Sequence, residues 1–276
     1  MGNEYDNETL RRLQLTEVEI LDEIKRVCDK NSLKYYLIGG TLLGAVRHKG
    51  FIPWDDDLDI VMPRSDYEKF CNICQTELNE KYYLHNIDTD DKYWLPFAKV
   101  RKKNTIFDEQ SISHLDVPKG IYVDIFPLDF SIGDNDKGQA KRTKKIKKLS
   151  TAILYKAKVV KAKSLKSRIK YLLLSFFSVK SLTNKQIKLM KKLDSGSHYV
   201  NYGSNYSTKK QTMPIGYYEP PKELVFEGKV YPVPNQFEKV LTRIYGETYM
   251  QLPPEEKRIT HKPMRIEFEK ENRIGN

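Results

Sequence analysis

The stretch WDDDLDIVM puts four carboxylates into five positions, Asp55, Asp56, Asp57 and Asp59. In a strand, side chains alternate between faces, so Asp57 and Asp59 point one way while Leu58, Ile60 and Met62 point into a core. Asp55 continues the acidic row if the strand extends back. Two carboxylates side by side on one face raise each other's pKa unless a cation lies between them. A hard divalent ion, Mg²⁺ or Mn²⁺, suits such an all-oxygen site. An EF-hand loop beginning at Asp55 would need glycine at its sixth position and glutamate at its twelfth, where Ile60 and Asp66 stand. A solvated acidic turn is the alternative, but such a turn does not ordinarily run straight into an apolar LDIVM.

Upstream, Gly39-Gly40-Thr41 follows a short apolar strand pattern and opens a helical one, with Thr41 a candidate N-cap. Glycines let the backbone approach a phosphate, and a helix start presents free N–H groups. Alone this is a weak signal, being neither a Walker loop nor a GxGxxG. A phosphate cradle beside a paired-carboxylate metal site is what metal-assisted phosphoryl transfer needs. A third carboxylate is expected, as ligand or base. Asp124 in GIYVDIFPLD interrupts an apolar strand, where an unpaired charge is costly, and is preferred to Asp129 and Asp116. Candidate phosphate-binding cations are Arg47, His48, Lys49, Lys99 and Arg101, the last two sharing a strand face in FAKVRKK.

These residues need elements to hold them. Apolar spacing predicts helices over 8–31, 66–78 and 237–245, the last ending at Gly246. Strands are expected at 35–38, 57–62, 82–86, 97–101 and 121–126, and a hairpin in KELVFEGKVYPVP. The fold class is α+β. Three parts are expected: a catalytic core over 1–136, a basic helical insertion over 137–192, and a C-terminal part over 193–276 that completes the catalytic domain.

The chain has 276 residues, of which 39% are hydrophobic, enough for a packed core. The polar start MGNEYDNETL carries no secretory pattern, and YLLLSFF is too short to span a bilayer. Three cysteines, with Cys71 and Cys74 on one helical pattern, fit buried thiols in a reducing compartment better than a zinc or redox site. The net charge of +11 is uneven: 137–192 holds 19 Lys and Arg and no acid, leaving 29 basic against 37 acidic residues elsewhere. That segment, with Leu172, Leu173, Leu174, Phe176 and Phe177 among its lysines, fits an interfacial helix on anionic lipid, an anionic glycan groove, or a solvated face. A nucleic-acid-binding module is the non-enzyme alternative. The acidic body and the lack of a nucleic-acid motif speak against it, so no nucleic acid is expected as partner.

The stretch IGGTLLGAVRHKGFIPWDDDLDIVMPRSDYEKF resembles the signature of LicD-type phosphotransferases, a branch of the nucleotidyltransferase-fold superfamily that includes fukutin and fukutin-related protein. FAKVRKKNT, GIYVDIFPLD and VFEGKVYPVPNQFEKVLTRIYGETYMQLPP continue the resemblance in order, so that it covers most of 8–257. It implies a nucleotidyltransferase-like mixed sheet flanked by helices, and places the superfamily's functional residues on Gly39, Gly40, Asp57, Asp59 and Asp124, with Asp55 an additional ligand. It also implies transfer of phosphocholine from CDP-choline to a hydroxyl of a cell-surface or lipid-linked glycan such as a lipopolysaccharide, teichoic acid or capsule, releasing CMP. Ribitol, glycerol or ethanolamine phosphate from their CDP donors, or nucleotidyl transfer, are the alternatives. A choline head group calls for an aromatic wall; Trp54, Tyr93, Trp94, Tyr122, Tyr217 and Tyr218 are candidates. The acceptor implies a cytoplasmic protein working peripherally at the inner membrane face.

Overall fold

A computed structural model describes residues 6–133, 137–161, 176–258, 261 and 263–269. Helix α1 (Asn7–Lys30) is capped by Asp6, whose side chain accepts from Thr9 N–H, and it buries Leu13, Ile20, Leu21, Ile24 and Val27. It is followed by β1 (Tyr36–Leu37), α2 (Gly39–His48), β2 (Asp59–Pro63) and α3 (Arg64–Glu77). Strands β3 (Tyr82–His85), β4 (Ala98–Lys102), β5 (Ile106–Glu109) and β6 (Tyr122–Ser131) come next.

The main sheet runs β1-β2-β6-β4-β3. β2 lies parallel to β6, and the other pairs in it are antiparallel. Its core face carries Ile60, Met62, Ala98, Val100, Val123 and Ile125, all fully buried. The alternation read from LDIVM therefore holds, although the strand starts at Asp59, so Asp55 and Asp57 precede it. β6 outruns its expected end at 126. Its last residues pair with β7 (His198–Val200), which pairs with β8 (Thr212–Pro214). This is the α+β class and mixed sheet expected.

The described part of the basic segment holds α4 (Lys137–Lys156) and α5 (Val179–Met190), packed on one another. The apolar run at 171–177 lies outside the described residues except for Phe176 and Phe177. α6 (Thr208–Gln211) leads into β8, and β9 (Lys222–Phe226) and β10 (Lys229–Val233) form the expected hairpin about Glu227-Gly228. α7 (Phe237–Tyr245) ends at Gly246 with φ +93°. Beyond it, β11 (Pro263–Glu267) pairs with β5 and carries the tail back across the body. Neither strand was legible as such in the sequence.

Cys28, Cys71 and Cys74 are buried free thiols; burial raises all three, Cys71 to about 12. Among the described residues no helix is long and apolar enough to cross a membrane.

Candidate active site

The sheet register builds the site. Asp124 on β6 stands opposite Asp59 of β2 on one side and Lys99 of β4 on the other. Arg101 stands opposite Tyr122 on the same face. The resulting cavity, about 300 Å³, is lined by Gly39, Asp57, Asp59, Lys99, Asp124 and Tyr122, with Tyr93, Trp94, Tyr206 and His261 among its other walls.

Lys99 Nζ lies 2.5 Å from Asp124 Oδ1 and 3.4 Å from the centroid of the Tyr122 ring. Burial pushes this ammonium down, and Asp124 opposes that shift. Burial, then the neighbouring acids, pushes Asp55 and Asp59 well up, with Asp57 the foremost neighbour of each. Asp57 is raised too, by burial, while His261 opposes the rise.

The double glycine serves these acids. Gly39 has φ +60°, and a Cβ there would lie 3.2 Å from Asp59 Oδ2. A Cβ on Gly40 would lie 2.6 Å from Asp55 Oδ2, so any side chain there would push that carboxylate off the helix start. The start of α2, its positive end, therefore faces the acidic row. Thr41 is not the N-cap, a place Ile38 takes; its Oγ1 instead accepts from Asp59 N–H at 2.9 Å. Of these three residues Gly39 lines the cavity.

The donor set fits a hard divalent cation. Asp55 Oδ2 is buried without a hydrogen-bond partner, beside carboxyls that resist ionising as they stand. One further arrangement was not foreseen. His261, just before β11, reaches Asp56: its N–H donates to Oδ2 at 2.8 Å and its Nδ1 lies 3.1 Å from Oδ1. Its Nε2 is 3.9 Å from Asp57 Oδ2. Ligating atoms of Asp56, Asp57 and His261 lie within 4.8 Å of one another. Both Asp56 oxygens already meet His261, so Asp56 reads as the anchor of the tail and Asp57 as the carboxylate open to an ion. Burial alone would lower the His261 imidazole; the bond to Asp56 and the charge of Asp57 lift it to about 10.

Other expected residues lie elsewhere. Arg47 donates to the carbonyls of Tyr249 and Gln251 and to His48 Nε2, and Lys49 ends α2 with φ 58°. None of the three lines the cavity. Trp54 lies under the Arg258 guanidinium, Tyr218 is core, and Tyr217 packs on the core, so Tyr93, Trp94 and Tyr122 are the expected aromatics that reach the cavity. Asp129 is held by a two-pronged pair with Arg64 at 2.8 Å, and Asp116 is exposed.

Arg101 lines the cavity, yet its Nε donates to His85 Nδ1 at 2.9 Å and its Nη1 to Gly120 O at 2.6 Å. His85 must then carry its hydrogen on Nε2, 3.1 Å from Asp90 Oδ2. Burial, then the charge of Arg101, pushes this imidazole down from 6.5 to about 4. The unfolded chain binds this proton near pH 6.5 and the folded one near 4, so the contribution is full above 6.5 and is lost as pH falls through 4. The loss amounts to roughly 2–3 kcal/mol. Urea unfolding between pH 7 and 4 should show it, and His85→Gln should flatten that limb.

A Gly-Gly turn, an acid–apolar–acid strand start and a third acid on the adjacent parallel strand define a nucleotidyltransferase-type domain. Residues 32–138 match the family described as "LicD/FKTN/FKRP, nucleotidyltransferase domain". The lipopolysaccharide cholinephosphotransferase LicD of Haemophilus influenzae is 33% identical over 266 residues, 92% of this chain and 96% of that protein. An uncharacterised protein of Rickettsia prowazekii is 33% identical over 107 residues, 29% of this chain and 40% of its own. The chain belongs to the LicD family.

Proposed function

We propose that the chain transfers phosphocholine from CDP-choline to a hydroxyl of a cell-surface or lipid-linked glycan, releasing CMP. The observation that carries this reading is end-to-end similarity to a relative named as a lipopolysaccharide cholinephosphotransferase. The acids and Lys99 on one cavity wall are chemically suited to it.

In this reading Asp57, Asp59 and Asp124, with Asp55 behind, hold Mg²⁺ or Mn²⁺. That ion, when bound, offsets charge on the donor diphosphate. Lys99 Nζ faces the same phosphates and steadies the departing CMP. The acceptor hydroxyl bonds to the choline-bearing phosphorus, the bond from that phosphorus to the CMP oxygen breaks, and the hydroxyl proton passes to a carboxylate. Asp124 is that base or a ligand. Tyr93 and Trp94 form the wall for the quaternary ammonium.

The test is CMP release from a panel of CDP-alcohols with Mg²⁺, following a labelled head group into acceptor glycan. Release from CDP-ribitol, CDP-glycerol or CDP-ethanolamine in place of CDP-choline would move the head-group assignment. Transfer of the nucleotide half would replace the reaction class.

The division into 1–136, 137–192 and 193–276 belongs to the same proposal. The middle part touches the body through Gln139, which donates to Thr212, and Arg142, which donates to Tyr202. It exposes Lys141, Lys144, Lys145, Lys147 and Lys148, and Phe176 at 87% of its surface. Exposed basic side chains and an exposed phenylalanine in one segment suit peripheral docking on an anionic inner membrane face. In a flotation assay, vesicles containing phosphatidylglycerol should carry the protein up. Changing these lysines to serine should leave it at the bottom; unchanged flotation would remove the membrane role.

A further inference from the structure

We propose that the cleft between α4, α5 and the 201–208 loop is an acceptor subsite that takes one pyranose ring of a neutral hexose. The proposal rests on the reading of this chain as a glycan-modifying transferase, and it assigns a role to the basic helical segment. The cleft holds about 200 Å³. That is below the roughly 300 Å³ at which pockets for drug-sized ligands begin, so it has room for one sugar ring and not for a nucleotide.

Thr143 and Ser150 of α4 and Gln186 of α5 form one wall, and Asn201 and Tyr206 form the other. Trp94, Phe97, Asn201 and Tyr206 also line the catalytic cavity, so the two spaces meet along those residues. A ring held in the cleft would present a hydroxyl toward the wall of Asp59, Asp124 and Lys99.

The lining chemistry differs between the two spaces. The catalytic cavity has acids and cations; the cleft has amides, hydroxyls and aromatic faces, with Lys147 the one charged residue among its described lining. Two of its polar groups lack partners. Gln186 is 1% exposed, and its Nε2 donates to Ser150 Oγ at 2.6 Å, while its Oε1 is buried with no hydrogen bond. Thr143 Oγ1 is likewise buried and unpaired. Native proteins rarely leave such groups unsatisfied, because each costs its desolvation. A polyhydroxyl ligand offers a donor to Gln186 Oε1 and an acceptor to the Thr143 hydroxyl, and Tyr206, 41% exposed, offers its ring face to a sugar. The family match ends at 138, so Thr143, Ser150 and Gln186 of this wall lie beyond the matched domain, where acceptor choice can vary while the transfer chemistry stays.

The test uses the full chain, with methyl β-galactopyranoside and methyl β-glucopyranoside as probes in saturation-transfer NMR. The expected result is pyranoside signal in the wild type that persists when CDP-choline is saturating. Thr143→Val and Gln186→Leu should each weaken pyranoside binding roughly five-fold, one hydrogen bond's worth. Gln186→Leu also breaks the bond to Ser150; Thr143→Val breaks none, and decides the matter if the first variant melts early. No pyranoside signal in the wild type, undiminished signal in Thr143→Val, or loss of signal on adding CDP-choline would each overturn the proposal. CMP release from CDP-choline is read separately. Its failure would remove the proposed donor and leave pyranoside binding as measured.

Discussion

Replacing Asp57 and Asp59 together by asparagine should cut CMP release by about 10³-fold or more while raising the melting temperature at neutral pH. The loss of activity follows from removing both charges that would hold a cation against the donor phosphates. The gain in stability follows from the same burial. Both carboxyls titrate above 3.8 in the folded chain, first because burial disfavours their charged forms. Between the unfolded and folded pKa values the native state binds more protons than the unfolded one, so stability falls as pH rises through that window. Asparagine keeps the shape and removes the titration. The variant should therefore melt at least about 3 °C above the wild type at pH 7.5, the gap closing toward pH 4, where the wild-type acids also regain their protons. A double variant that keeps a tenth of the activity would show that this row does not hold the ion, and one that melts below the wild type would show that burial of its charges is not what limits stability.

The acidic row was legible because two signals coincided: period-two alternation in LDIVM and a glycine pair placed to start a helix. Strand alternation also put Lys99 and Arg101 on one face of β4, and the register then set Lys99 against Asp124. What sequence spacing could not supply was contact across long separations. His261 lies 205 positions from Asp56, in a tail with no strong pattern, and reaches the site only because β11 pairs with β5. Glu17 carries no sequence signal beyond its place in the helix expected over 8–31. In the fold it is 3% exposed with Oε2 unpaired, and burial, then Asp57 and its neighbours, pushes it well up. Arg47, His48 and Lys49 lie away from the cavity for the opposite reason. They adjoin the glycine turn in sequence, but a ten-residue helix carries them to its far end. Nearness along a helix is not nearness to its N-terminus, at 1.5 Å per residue.

Lys99→Met should be the most destabilising single change in the site. The ammonium is 6% exposed and is the ion-pair partner of Asp124, which stands in register with another acid, Asp59. Removing one member of a buried pair leaves the other uncompensated and costs about 3–5 kcal/mol. In a chain of this length that lowers the melting temperature by roughly 10 °C. Two further measurements separate lost charge from lost packing. Adding Asp124→Asn to Lys99→Met should restore most of the stability, since the stranded carboxylate is gone. Added MgCl₂ should raise the melting temperature of Lys99→Met more than that of the wild type, because a divalent cation can take over the neutralisation that the ammonium gave. Activity should stay at least about 10²-fold down in Mg²⁺, because Nζ no longer faces the departing phosphate. If Lys99→Met melts with the wild type and ignores Mg²⁺, Asp124 is balanced by some other group, and the line Asp59–Asp124–Lys99 is not the charge axis of the site.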